Sequence, residues 1–367
     1  MHLTHHRLPP AELEARLRLH LLPGLGPRRF TTLISAFGNA CAALSAPASA
    51  WRALGLPLSC AEPRRSASIR QQAETALHWL EQPGHHALMW DDPHYPALLA
   101  ELDDAPPLLW VDGDPSILER PQLAIVGSRN ASKPGLDTAH AFAKTLARAG
   151  FVITSGLALG VDGAAHQGAL AGQGLTVATL GTGLQRLYPA RHTALAQQII
   201  EGGGAVISEL PLHCPPQASN FPRRNRLISG LSLGVLVVEA SPSSGSLITA
   251  RLAAEQGREV YAIPGSIHHP GARGCHQLIR DGATLVESTE HILEALRGWQ
   301  QVAPPVAAVS RPINHPLLQL LHAAPQSSEA LAISIGQPLP QVLAELTELE
   351  LAGQVSCQNG CWMARGV

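Results

Sequence analysis

Four short turns rich in glycine and serine carry the residue types best suited to grip an anion. They read Gly127-Ser128-Arg129-Asn130-Ala131-Ser132-Lys133, Ser155-Gly156-Leu157-Ala158-Leu159-Gly160-Val161-Asp162-Gly163, Gly181-Thr182-Gly183 and Ser241-Pro242-Ser243-Ser244-Gly245-Ser246. Glycine lets a backbone come close to a ligand, and serine and threonine offer hydroxyls. Arg129 offers a planar fork that matches two phosphate oxygens. Each turn follows an apolar run of strand length, and most lead into a helix-length segment whose first N–H groups favour anions. Taken singly, each is an ordinary strand-to-helix connection. Four on one sheet edge make an anion-binding rim.

The densest cationic feature is Phe221-Pro222-Arg223-Arg224-Asn225-Arg226. A charge run is ordinarily a solvated face. This one opens a helix, where the dipole disfavours cations, so a ligand is the better reason for it. Two standard nucleotide signatures are missing. No Gly-x-x-x-x-Gly-Lys-Ser/Thr occurs, and Gly181-Thr182-Gly183 lacks the third glycine of the dinucleotide fingerprint, since residue 186 is arginine. Asp162 and His166 stand four apart and read as a helix N-cap and a packed histidine rather than a metal pair. Cys357 and Cys361 have no second pair, and the histidine doublets have no third ligand nearby. Neither a metal nor a cofactor is expected.

Composition narrows the partners. The chain has 367 residues, with 26 Lys+Arg against 28 Asp+Glu and a formal net charge of -2, so no basic signal covers the whole chain. The cations are unevenly placed: residues 121–298 carry 14 basic and 11 acidic groups, and residues 299–367 carry 2 and 4. Aromatics make up only 4%. Phe221 is the one ring beside a proposed contact, so binding is expected to lean on phosphates more than on bases. Phe221 either stacks on one base or anchors its loop. The six cysteines are scattered, which fits reduced thiols in a cytosol. The first ten residues have no apolar core, so no secretory leader is expected. The run Leu231 to Ala240 is too short to cross a membrane.

The elements that would position these residues fall into three parts. Residues 1–110 read as helical, with helices at Glu12 to Leu22, Arg28 to Phe37 and Ile69 to Leu80. The turn Pro23-Gly24-Leu25-Gly26 is either a helix-hairpin-helix phosphate contact or a plain interhelical turn. Residues 111–298 alternate strand and helix. The strands are Leu123–Val126, Phe151–Thr154, Thr176–Leu180, Ala205–Ser208, Val235–Glu239 and Val260–Ile263. Short, doubly apolar strands of this kind predict an α/β fold: a Rossmann-like, mostly parallel sheet with helices on both faces. A linker spans 299–312. In 313–367, three helices (Pro316 to Ala323, Ser327 to Ile335 and Leu339 to Ala352, with Gly353 after the third) precede two strands flanking Asn359-Gly360, which is a winged-helix pattern. So few cations in this last part suggest a protein-contact or vestigial module rather than the main DNA reader.

Five stretches together resemble the DprA family, also called Smf. They are Ile125-Val126-Gly127-Ser128-Arg129, Ser155 through His166, Phe221 through Ser229, Ser244 through Ala250, and Ile263-Pro264-Gly265 with Gly274-Cys275-His276-Gln277-Leu278-Ile279. The resemblance implies a cytoplasmic, non-enzymatic DNA-binding protein of competence and natural transformation. Its relatives bind incoming single-stranded DNA, protect it, load RecA onto it, and displace or accommodate single-strand-binding protein. They act as homodimers through the Rossmann-like domain, and the N-terminal part is SAM-like. Carried over, Gly127, Ser128, Arg129 and the segment Arg223, Arg224, Asn225 and Arg226 hold DNA phosphate. Phe221, Thr182, Gly183, Ser244, Gly245 and Ser246 lie on the same rim. The competing expectation is an enzyme of the nucleoside-monophosphate phosphoribohydrolase type, with Glu239 at a strand end as the acid/base group.

Overall fold

A computed structural model describes residues 8–296, 316–323, 326–351, 355–358 and 361–364. The linker expected at 299–312, Gly353 and the Asn359-Gly360 turn lie outside the described residues. The chain forms two compact units, Met1–Pro304 and Pro305–Val367.

The first unit is built on nine strands: β1 (His85–Met89), β2 (Leu108–Gly113), β3 (Gln122–Val126), β4 (Val152–Ser155), β5 (Thr176–Thr179), β6 (Ala205–Ser208), β7 (Gly234–Val237), β8 (Glu259–Ala262) and β9 (Thr284–Leu285). Their order across the sheet is β1-β2-β6-β5-β4-β3-β7-β8-β9. From β6 to β9 every neighbouring pair is parallel. β2 pairs antiparallel with β6, and β1 with β2. Every residue of β3, β4, β5, β6 and β7 is buried. That is why they read as unbroken apolar runs rather than as alternating patterns.

The six expected strands are all present, and the mostly parallel α/β architecture holds. The structure adds β1, β2 and β9. Residues 1–110 were expected to form a helical domain without strands, yet β1 and β2 lie within or across that stretch and extend the sheet. Leu108 and Trp110 of β2 face one layer, while Leu109 and Val111 face the other. Residues 85–111 thus belong to the sheet core by packing. Helices do occupy Pro10–His20, Pro27–Phe37 and Ala67–Leu80. Leu17, Ala73, Ala76 and Trp79 from this region join Trp110 in one hydrophobic cluster.

Helices cover both faces. Lys133–Arg148 and Val161–Ala171 pack on Leu123 and Ile125. On the opposite face, Ile228, Ala250, Ala253 and Cys275 meet Ala124, Val126, Val235 and Val237. The chain builds β4, β5 and β6 on one side of β3, then crosses to β7, β8 and β9 on the other. The loops leaving β3 and β7 therefore diverge, and the crevice between them is where such sheets take ligands.

The second unit is a winged helix. Its helices are Pro316–Ala323, Ser328–Ile335 and Leu339–Leu351. Its sheet orders β10 (Gln326–Ser327), β12 (Cys361–Ala364) and β11 (Val355–Gln358), all antiparallel. Leu317, Leu331, Val342, Leu346 and Trp362 form its core.

One buried histidine makes the first unit's stability pH-dependent. His166 is fully buried, and its Nδ1 lies 2.7 Å from Thr176 Oγ1, whose hydroxyl donates to Ile153 O. Burial, with smaller contributions from His192 and Arg224, pushes the imidazole down to about 3. In an unfolded chain it titrates near ~6.5. Between these values the unfolded state binds the extra proton, so stability falls as pH drops below that upper value. The expected loss is about 2 kcal/mol between pH 7 and pH 5 from this group alone. Urea midpoints across that range should fall, and less so in a His166→Gln variant. Parallel pH profiles for the two proteins would count against the assignment.

Candidate nucleic-acid interface

A cleft of about 770 Å³ opens at the switch point between β3 and β7. The loop after β3 contributes Gly127, Ser128 and Arg129. The loop after β7 contributes Ser244, Gly245 and Ser246, and the helix Asn220–Gly230 contributes Phe221, Arg224 and Asn225. The structure thus gathers nine of the thirteen expected site residues around one opening. Thr182, Gly183, Arg223 and Arg226 do not line it.

The β3 loop is set by backbone bonds. Ser128 donates its N–H to Glu239 O at 2.7 Å, and its carbonyl accepts from Val161 N at 3.2 Å. That N–H is therefore not free for a phosphate. The Ser128 hydroxyl accepts from Asn130 N at 3.1 Å and keeps its own proton to donate. The smallness of Gly127 accommodates Val161: a Cβ there would lie 2.7 Å from Val161 Cγ2. Gly160, at φ +79°, carries the β4 loop over the carbonyls of Ser128 and Arg129. Arg129 itself makes no ion pair among the described residues. Its guanidinium carbon stands 5.6 Å from the centre of the Phe221 ring.

Arg224 forms the floor. It is buried, and its Nη1 donates to Gly156 O at 2.8 Å and to Thr179 O, at the ends of β4 and β5. Its Nε donates to Asn225 Oδ1 at 3.2 Å, while Asn225 Nδ2 reaches Gly245 O at 3.3 Å. Burial pushes the guanidinium down to about 10; Asp162 opposes that shift and Arg129 adds to it. It remains charged at neutral pH. Asp162 also departs from expectation. Gly160 is the N-cap of Val161–Ala171, and the Asp162 carboxylate instead accepts from the loop amides of Gly156 and Ala158, at 3.1 and 3.3 Å. Burial raises its pKa, with Arg224 as the main opposing charge.

The arginine run is split by the fold. The helix starts at Asn220, so the arginines sit within it rather than at its opening, and the dipole argument for a ligand does not apply. Arg226 is consumed internally: Nη2 lies 2.5 Å from Glu209 and Nε 3.1 Å from Asp104. Arg223 leans over Glu209 at 3.5 Å and faces a second cavity, beside the Pro23-Gly24-Leu25-Gly26 turn. Thr182 is fully buried. Gly183 is tied beneath the following segment through its N–H to Cys214 O at 2.9 Å.

Asn130, Ser241 and Thr249, which stand in the quoted stretches but were not singled out as site residues, also line the cleft, as does Tyr188, which sequence reasoning missed. Tyr188 lies five residues beyond Gly181-Thr182-Gly183, outside the stretch the turn chemistry marked. Glu239, the acid/base candidate of the competing reading, is not among the lining residues. Its carboxylate accepts from Ser132 N at 2.9 Å and from the Ser132 hydroxyl, whose oxygen caps Lys133–Arg148.

Residues 86–297 match the family model described as DNA recombination-mediator protein A, and residues 301–360 match the DprA winged helix domain. The chain belongs to the DNA recombination-mediator protein A family. It is 47% identical over 302 residues to Protein Smf of Escherichia coli (strain K12), covering 79% of this chain and 80% of that protein. It is 46% identical over 202 residues to DNA processing protein DprA of Streptococcus pneumoniae, covering 55% of this chain and 71% of that one. An X-ray structure of DprA from Streptococcus pneumoniae superposes with a TM-score of 0.64 at 34% identity, over 77% of this chain and 97% of that one. A structure of DNA processing protein A from Helicobacter pylori, described for its single-stranded DNA binding mode, gives 0.53 at 29% identity over 58% and 96%.

The split arginine run predicts unequal variants. Arg226→Ala leaves the buried Glu209 carboxylate without its main partner and should cost about 3–5 kcal/mol of stability. Denaturant unfolding checks this. A loss under ~1 kcal/mol would show that Arg226 is not a structural cation.

Proposed function

We propose that this protein binds single-stranded DNA in the switch-point cleft and serves as a recombination mediator in natural transformation. It shields incoming strands and delivers them to RecA in the cytosol, as a homodimer, alongside single-strand-binding protein. The observation that carries this reading is Arg129. Its guanidinium makes no ion pair among the described residues, in a cleft whose floor holds the charged Arg224. One carboxylate, Asp162, lines the cleft and opposes both cations, and two cations against one anion leave a local positive field for a polyanion. The Ser128 hydroxyl and the Ser244–Ser246 segment supply neutral donors beside it. The helix that follows Gly245 adds its N-terminus.

We read the activity as binding without catalysis. The Glu239 carboxylate is committed to Ser132 and stands apart from the cleft, which speaks against the phosphoribohydrolase alternative. We assign DNA to the sheet domain, residues 111–298, and partner contacts to the winged helix, residues 313–367. The described part of the winged helix contains no lysine or arginine, so it has nothing with which to displace phosphate counterions.

Fluorescence anisotropy on a labelled single strand over a salt series tests both assignments. Arg129→Ala should weaken binding roughly tenfold or more and flatten the log–log salt slope by about 0.7. Its melting temperature should stay put. Wild-type affinity in that variant would end the cleft assignment. Removing residues 301–367, which carry two arginines against four glutamates, should change DNA affinity by no more than about twofold. A large drop would place DNA contacts on the winged helix.

A further inference from the structure

We propose that Tyr188 is the surface on which a nucleobase of the bound strand stacks, and that Phe221 is the positioning residue that holds it there. The inference rests on the cleft being the DNA site.

Tyrosine is scarce in this chain, and two of its three copies are interior. Tyr95 is buried with its hydroxyl on Pro106 O, and Tyr261 is fully buried. Tyr188 is different: it is 45% exposed and lines the cleft. An apolar ring left this open on the rim of a cationic cleft gains little from folding, and every base has a face that can cover it.

Phe221, the ring expected from the sequence, is hemmed in. A Cβ on Gly181 would lie 2.7 Å from its Cδ1, so the backbone at the end of β5 presses on it. The Arg129 guanidinium sits above it, and Tyr188 lies 5.6 Å away, centre to centre, at 54°. A tilt of that size fixes Tyr188 against Phe221 without stacking the two rings on each other, which leaves the tyrosine for a third partner. Phe221 is thus the anchor and Tyr188 the platform.

The segment around Tyr188 is built for a strand. Arg186 and Arg191 flank it in sequence, both are exposed, and neither guanidinium forms an ion pair among the described residues. A base on Tyr188 would have cations within reach of the phosphates to either side, the arrangement by which single-strand binders combine stacking with charge.

The test compares a single-stranded oligonucleotide with an abasic one of equal length, which keeps the phosphates and removes the stacking partner. Tyr188→Ala should weaken binding to the base-containing strand roughly 5- to 100-fold. It should leave the abasic strand's affinity and the salt slope unchanged. Tyr188→Phe should bind both strands as the wild type does. Phe221→Leu should weaken only the base-containing strand, and should add nothing in a Tyr188→Ala background if it acts through Tyr188. Arg129→Ala should weaken both strands. Wild-type affinity of Tyr188→Ala for the base-containing strand, or equal loss on the two strands, overturns the proposal. Failure of the wild type to bind either strand would instead overturn the cleft assignment beneath it.

Discussion

A single guanidinium ties the carboxyl edge of the sheet together. Arg224 reaches from the helix Asn220–Gly230 to the carbonyls of Gly156 and Thr179, and so binds the exits of β4 and β5 to a third element. A cation buried that deeply would cost several kcal/mol alone. Two carbonyl dipoles and the Asp162 carboxylate offset the cost. Asp162 in turn takes the amides of Gly156 and Ala158, so the loop that shelters the cation is held by the anion opposing it. Gly156 leaves the room, since a Cβ there would lie 2.7 Å from the guanidinium. With Arg129 beside it, the edge carries two cations against the one Asp162 carboxylate, an excess of positive charge that a simple ion pair would not supply.

This explains why three arginines that look alike in the sequence have three fates. Arg226 finds two carboxylates, Arg223 leans on one of them, and Arg224 finds carbonyls beneath the cleft. Nothing local distinguishes them. Their partners, Glu209, Asp104 and Gly156, come from other loops, and only the strand order brings those loops together. A charge run announces that cations are concentrated. It does not say which are spent holding the chain in place.

The same division between local and distant information runs through the fold. β3 to β8 were legible because a strand buried on both faces has no choice but to be apolar along its length. The turns after β3 and β7 were legible because glycine and serine mark them. β1, β2 and β9 were not. β1 opens with His85-His86, β2 follows two prolines, and β9 has two residues, both exposed. Leu108 to Val111 of β2 is an apolar run buried on both faces that the helical reading of 1–110 passed over, whereas β1 and β9 are recruited by a neighbour's edge rather than by their own pattern. Tyr188 escaped notice for the same reason, since its importance comes from a ring at position 221 that folding sets beside it. Thr182 and Gly183 erred the other way: their types suit an anion site, but burial under the following segment withholds them.

Charge separates the two units as sharply as topology does. The winged helix has the shape of a DNA reader, yet between residues 316 and 364 its only formal charges are glutamates. Neutralising phosphates requires cations, which are absent among the described residues of this unit, and its glutamates would repel a strand. The sheet unit has the cations, and its fold hides some of them, neutralises others and leaves a few at one crevice. Shape alone would point to the other end of the chain. Counting which positive charges remain unpaired, after the fold has used those it needs, points instead to the crevice between β3 and β7.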